Sequence, residues 1–234
     1  MTSCSEWVDK LKEPRVPSET RVTQSFHFDD FRGISASKGI YVEYVPQTRQ
    51  ENVVVQGPEN VFEALTVENH EGILYFDVTG PKDFRYTSDS QRMRIKVFQP
   101  GLHSFEALAG SSIVAADTLK LSQPVTVTTY SNGVVDLEAV QAPEVKMDAY
   151  TESIIRAAVE VENCEVSAFS GAEVTLYGEA VDLSLMASEA EIIAMDLEAQ
   201  NAEAVAEERS LITSPIHFDS KKEVKSGKII TGYP

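Results

Sequence analysis

The chain is poor in the residues that build reactive centres. Its 234 residues include two cysteines, four histidines and one tryptophan. Two cysteines exclude a disulfide framework and any zinc site made from thiolates. The histidines, His27, His70, His103 and His217, are far apart, and none has a second histidine at the i+2 to i+4 spacing of a metal motif. There is no Gly-x-Ser-x-Gly elbow, no P-loop and no dinucleotide fingerprint, so serine-triad chemistry has no local support. No apolar run reaches the ~18 residues a spanning helix needs, so no transmembrane segment is expected. Positive charge is also scarce: 20 Lys and Arg face 37 Asp and Glu, for a formal net charge of −17. Such a chain has no general attraction for phosphate backbones, which argues against nucleic acid as a partner.

What is present suits a folded protein. Hydrophobic residues make up 42% of the chain, too many for a disordered acidic tail. Area scaling gives ~10,000 Å² of folded surface against ~37,000 Å² unfolded, enough for a sizeable core. Cys164, in Asn163-Cys-Glu-Val-Ser-Ala-Phe169, alternates with Val166 and Ala168 and reads as a buried, inert thiol. Cys4 stands where the acylated cysteine of an exported lipoprotein would lie after removal of its leader. No hydrophobic leader precedes it in this sequence, so lipidation at Cys4 is an expectation that competes with a chance cysteine.

Four regions follow from the patterning. Residues 1–24 form an N-terminal segment, a linker to the envelope on the lipoprotein reading. Within it Ser5 could cap a helical turn carrying Trp7, Val8 and Leu11, stopped by Pro14 and Pro17. Residues 25–100 read as a β region of hairpins. Gly39–Pro46 puts Ile40, Val42 and Tyr44 on one face, and the turn 47–52 leads to Val53–Val55 as the returning strand. Pro58–Ala64 has the proline-first, acid-next start of a helical turn. Leu65–Glu68 and Ile73–Val78 form a second hairpin around Asn69–Gly72, and Arg92–Phe98 alternates again.

Beyond Pro100-Gly101 the sequence repeats. A small or polar triplet followed by an aliphatic residue recurs with Ile113, Val134, Ile154, Val174, Ile192 and Leu211 as anchors, spaced by 21, 20, 20, 18 and 19. Each anchor is flanked by alternating strands. A unit this short cannot bury its apolar face alone, but stacked copies pair strand on strand in parallel at ~4.8 Å. Small aliphatic residues should line the inside: Ala107, Ala115, Val127, Ala157, Leu176, Leu185 and Ala194. The reading is all-β: a right-handed parallel β-helix of about six coils over 101–215, preceded by the hairpin region. A sandwich of short hairpins is the competing architecture, but it wants two-residue turns and only Asn132-Gly133 qualifies. Residues 216–234 form a C-terminal cap whose Lys221, Lys222, Lys225 and Lys228 protect the last edge.

Three motifs carry a resemblance to a known family. Phe31, Gly33, Ile34, Gly39 and Ile40 resemble the opening of the putative auto-transporter adhesin, head GIN domain family, a domain of unknown function. Its serine-glycine turns are similar to Gly110-Ser-Ser112, Ser131-Asn-Gly133 and Ser170-Gly171, and its closing motif to Ser226–Pro234. Thr151-Glu-Ser153 and Glu189-Ala-Glu191 depart from the glycine-bearing turns, which puts any ligand role of those turns in doubt here. The resemblance covers about residues 25–234. It implies an exported protein of the bacterial cell envelope or surface, common in Bacteroidetes-type organisms, although no signal sequence is present in this chain.

Candidate site residues are few. Between Ala157 and Glu208 there is no Lys, Arg or His and there are 13 acidic residues. Glu173 and Glu191 fall at equivalent positions of successive coils, and a stacked pair of carboxylates is either a solvated face or a weak calcium site. Tyr130, Tyr150 and Phe169 line up before three consecutive turns, as corner packing or as a ladder for sugar rings. Asp136 and Arg156 are expected as a cross-strand ion pair. No catalytic residue is assigned and no cofactor is expected beyond calcium. Three functional classes stay open: a non-catalytic, adhesin-like module for a carbohydrate or protein partner, a carbohydrate-active β-helix lyase or hydrolase, and a self-associating structural protein.

Overall fold

The computed structural model describes residues 14–80 and 83–231. Cys4 and the helical turn expected around Ser5 lie outside the described residues. The chain is all-β and coils into a parallel β-solenoid of about seven turns. The described helical residues are confined to α1 (Glu59–Phe62), where Pro58 sets up the first turn as its sequence suggested, and a 3₁₀ turn at Asp89–Gln91.

The repeating coils follow from one tight turn, three residues long in most layers and two at Glu189-Ala190. Strands β8 (Ser104–Leu108), β9 (Ser112–Lys120) and β10 (Val125–Tyr130) lead into four long strands, β11 (Val134–Tyr150), β12 (Ile154–Phe169), β13 (Glu173–Ser188) and β14 (Glu191–Glu207). Each long strand leaves one tight turn and runs to the next. It bends where two consecutive residues face outward, as Glu162 and Asn163 do. The tight turn reverses the chain with left-handed backbone at Ser131 and Asn132, Thr151 and Glu152, Ser170 and Gly171, and Glu208 and Arg209. Its third residue points inward and is small: Ser111, Gly133, Ser153, Ala172, Ser210. That is the physical content of the small-or-polar triplet.

Register corrects the alignment by one residue in three coils. Ile113, Val135, Ile155, Val174, Ile192, Ile212 and Ile229 are in-register neighbours and form the inward row. Val134, Ile154 and Leu211, aligned as anchors from the sequence, sit one step out, beside Ser112, Glu173 and Glu191. A one-residue slip changes the face of a strand. Two adjacent aliphatic residues after the turn (Val134-Val135, Ile154-Ile155, Leu211-Ile212) leave that choice ambiguous in sequence. Strand interiors behaved as expected: Ala107, Ala115, Val127, Ala157, Leu176, Leu185 and Ala194 are all buried. Each larger one contributes roughly 1.5–3 kcal/mol by leaving water.

The solenoid starts earlier than its repeats suggest, and its first layers are out of chain order. Strands β2 (Gly33–Ala36) and β3 (Tyr41–Val45) pair in parallel with β8 and β9 on one side. On the other side they pair with β6 (Ile73–Val78) and β7 (Arg94–Phe98). The chain therefore enters in the second layer, goes out to build the end layer, and returns to the third. The expected hairpin of residues 40–46 with 53–55 does not form. Strand β4 (Val53–Pro58) instead pairs antiparallel with β7 and with β1 (Arg21–Phe26). The connection 46–52 has no primed-turn signal to hold a hairpin register, so it crosses to the next strand but one. The second hairpin is as expected, β5 (Leu65–His70) with β6, turning at Glu71-Gly72 with positive φ. Antiparallel β5, β4 and β1 thus cover the edges at this end.

At the other end β15 (Leu211–Ser214) connects to β16 (Ser220–Val224) and β17 (Lys228–Thr231). Relative to the preceding coil the link is short, because Thr213 sits beside Ile193 and Ser220 beside Glu203. Three fewer residues draw the chain inward, and Ile216 and Phe218 are buried across the end of the core.

Candidate functional site

The strand segments that enter each tight turn make one continuous sheet face. Its outward residues form columns up the solenoid, one residue per layer. The column beside the turn is Leu108, Tyr130, Tyr150, Phe169, Ser188 and Glu207. The three rings stack as the sequence alignment suggested: Tyr130 and Tyr150 have centroids 4.6 Å apart and planes 6° apart, and Tyr150 and Phe169 lie 5.3 Å and 13° apart. Strand spacing imposes this geometry. It also means that the rings cover one another's faces and offer the surface their edges and the tyrosine hydroxyls. A sugar ring stacks on an exposed aromatic face, and Tyr150 has none left.

Two rows further from the turn, Asp148 lies between Thr128 and Ser167. Burial raises its carboxyl above the ordinary value; Lys146 opposes this and Glu165 adds to it. Lys146 pairs with Glu165 at 3.0 Å, a contact that raises the lysine.

At the far edge of the same face the chain bends, and the bend column is Glu144, Asn163, Asp182 and Asn201. Carboxylate and amide alternate, so no two carboxylates of this column are direct neighbours, and Asn201 Nδ2 donates to Asp182 Oδ1 at 2.6 Å. Asp219 closes the column by accepting from the Ala202 backbone N–H at 3.0 Å. With Glu165, Ser184 and Glu203 from the next column, these residues line a groove of about 620 Å³ along the solenoid, floored by Cys164, Leu183 and Ala202. Cys164 is buried as expected, and desolvation pushes its thiol up to about 12, which leaves it inert at neutral pH.

Glu173 and Glu191 are adjacent in register, but Ile154 and Leu211 flank them, so their column is two carboxylates deep. A deeper acid column went unnoticed in the sequence: Glu160, Glu179 and Glu198 are stacked on three successive layers and exposed. Gln141 caps it, donating to Glu160 at 2.5 Å. Their regular spacing of nineteen residues, shared by Asn163, Asp182 and Asn201, was the available signal. Among the described residues no group of three His, Cys, Asp or Glu side chains is placed to hold a metal ion. Asp136 and Arg156 are in register but form no ion pair among the described residues.

Solved structures share this fold. A structure described as a putative lipid binding protein from Parabacteroides distasonis aligns with a TM-score of 0.76 at 17% identity, covering 94% of this chain and all of its own. One described as a putative adhesin from Parabacteroides merdae gives 0.76 at 17%, covering 92% and 97%. Another putative adhesin, from Bacteroides fragilis, gives 0.60 at 16%, covering 92% and 97%. No curated protein matches the chain. Its residues 30–210 match the family model of the putative auto-transporter adhesin, head GIN domain, and the chain belongs to that family.

Proposed function

We propose that this protein is a non-catalytic, adhesin-like module of the bacterial envelope that holds an extended surface polymer along the sheet face. The observation that carries the reading is the groove, in which carboxylate, amide and hydroxyl groups recur on successive layers. A repeating groove suits a repeating ligand, because each ~4.8 Å step offers the same kind of contact. Three of the five carboxylates lining the groove are engaged: Asp182 by Asn201, Asp219 by a backbone N–H, Glu165 by Lys146. A hydrolase would instead aim two free carboxyl groups at one bond. The family description and two of the three similar structures, described as putative adhesins, support adhesion, while the third is described as a putative lipid binding protein. Export, and an anchor at Cys4, belong to the same reading.

A glycan array on the intact chain, with and without calcium, tests it. Retention of at least one polymer with no fragments released is the expected outcome. Depolymerisation of a retained glycan would establish the enzyme reading instead, and absence of retention would overturn the polymer. Loss of retention when calcium is withdrawn would assign a cation to Glu173 and Glu191 or to the Glu160 column, to be separated by Gln substitutions in each.

A further inference from the structure

The inward rows of the solenoid stop being apolar at its last coil. Lys221 follows Val166, Leu185 and Ala204 in one row, and Glu223 follows Ala168, Ala187 and Ala206 in the next. The six predecessors are buried, while Lys221 and Glu223 are exposed. Two charged side chains therefore stand where a further coil would need a core.

Both side chains reach across the end of the solenoid to the opposite strand. Lys228 N–H donates back to the Ser210 carbonyl of the preceding coil at 3.0 Å, so the N–H of Ile229, one residue on, is directed to the open edge. Glu223 Oε1 accepts it at 2.7 Å. Lys221 Nζ donates to Thr231 Oγ1 at 3.5 Å and lies 5.7 Å from the centre of the Phe218 ring. Among the described residues β16 pairs only with β14 and β17 only with β15, so each has a free edge, a template for another strand. The far end of the molecule differs. There α1 packs on β4 and β1 with Val61 buried, and the outer strands run antiparallel, so the parallel rows are not on offer.

We infer that Lys221 and Glu223 form an end-stop that keeps the last coil of one molecule from pairing with the last coil of a second copy. Only this end presents the parallel rows, so two copies would meet through the same end, in a two-fold contact that closes at a dimer. The stop works in two ways. Such a contact would strip both charges of water without giving them a matched partner. Glu223 also occupies a backbone donor that an added strand would use. Lys222 and Lys228, on the outward side, add a repulsion that salt screens, whereas the inward pair acts at any salt. The inference does not depend on the polymer reading of the groove.

The test is sedimentation velocity of the full chain over a concentration series in high salt. The parent should stay monomeric. Lys221→Val with Glu223→Ala, which restores the residue types of the preceding coils, should form a dimer and nothing larger. Lys222→Val with Lys225→Ala, on the same segment but outside the two inward rows, should stay monomeric. Amide hydrogen exchange supplies a readout that does not need the double variant to fold. Glu223→Ala should speed exchange at Ile229 ~tenfold or more, the loss of a hydrogen bond to a charged group, and Glu223→Gln, which keeps the acceptor, should change it far less. A parent that already dimerises, a folded double variant that stays monomeric, or unchanged Ile229 exchange in Glu223→Ala would overturn the end-stop. Growth beyond the dimer would overturn the two-fold contact.

Discussion

A Cβ on Gly133 would stand 2.0 Å from the carbonyl oxygen of Ala107, one layer away. The last residue of each tight turn from Ser111 to Gly227 is buried, and at Gly133 even a methyl group meets backbone. Gly133→Ala is therefore expected to destabilise the protein by ~1–3 kcal/mol, since backbone cannot yield as a side chain can. Urea unfolding measures it. An unchanged midpoint would mean that the turn ridge relaxes far more readily than its stacked hydrogen bonds suggest.

The aromatic column makes a graded prediction. Tyr150 is stacked on both sides, and Tyr130 and Phe169 on one side within the column. Each stacked contact adds ~0.5–1.5 kcal/mol beyond area burial, so Tyr150→Ser should lose more stability than Tyr130→Ser. Since the rings present edges, glycan retention by both variants should match the parent under conditions where they are folded. Lost retention without lost stability would make the column a ligand contact after all.

Glu179 stands between two carboxylates of its own kind, Glu160 and Glu198. Glu179→Gln should raise stability by a few tenths of a kcal/mol, as like charges directly opposite one another repel. The gain should shrink in high salt, because these side chains are exposed. Thermal unfolding at low and high ionic strength decides; a loss at low salt would point to a cation held by the column.

Two aspartates should respond oppositely to acid. Burial tends to raise Asp77, but the hydroxyl of Ser37 and the Lys38 ammonium outweigh it and hold the carboxyl below its ordinary value. Its contribution is present above the unfolded pKa and is lost as pH falls through the lower folded one. Asp148 is raised, mainly by burial, so its ionised form costs stability at neutral pH and the cost disappears as pH falls through its folded pKa. Asp77→Asn should therefore be destabilising at pH 7 and neutral in strong acid. Asp148→Asn should be stabilising at pH 7, with the difference again vanishing in acid. Melting temperatures across the acid range give both; parallel curves for either variant and the parent would refute its assignment.

Much of the architecture was legible because the solenoid writes each layer into the sequence. The small triplets fell on the six tight turns between residues 109 and 210, since only small groups fit inside the corner. Alternation placed Ala157, Leu176 and Ala194 inside. The first layers were less legible. Strands β2 and β3 carry no repeat spacing, because the chain leaves between the second and third layers to build the end. Locally β3 and β4 look like any pair of strands joined by a polar turn, and local pattern does not say which neighbour a strand will choose.

By itself, the sequence determined that apolar residues must be shared between stacked units, because no single repeat has enough of them, and that one stretch of the chain would be acidic without relief. The tertiary structure decided which carboxylates meet. Glu173 and Glu191 meet each other between Ile154 and Leu211, Glu160, Glu179 and Glu198 form the longer column, and Asp182 gains an asparagine as neighbour. Coil lengths differ by a residue or two, bends absorb the difference, and register is fixed only when every inward row packs at once.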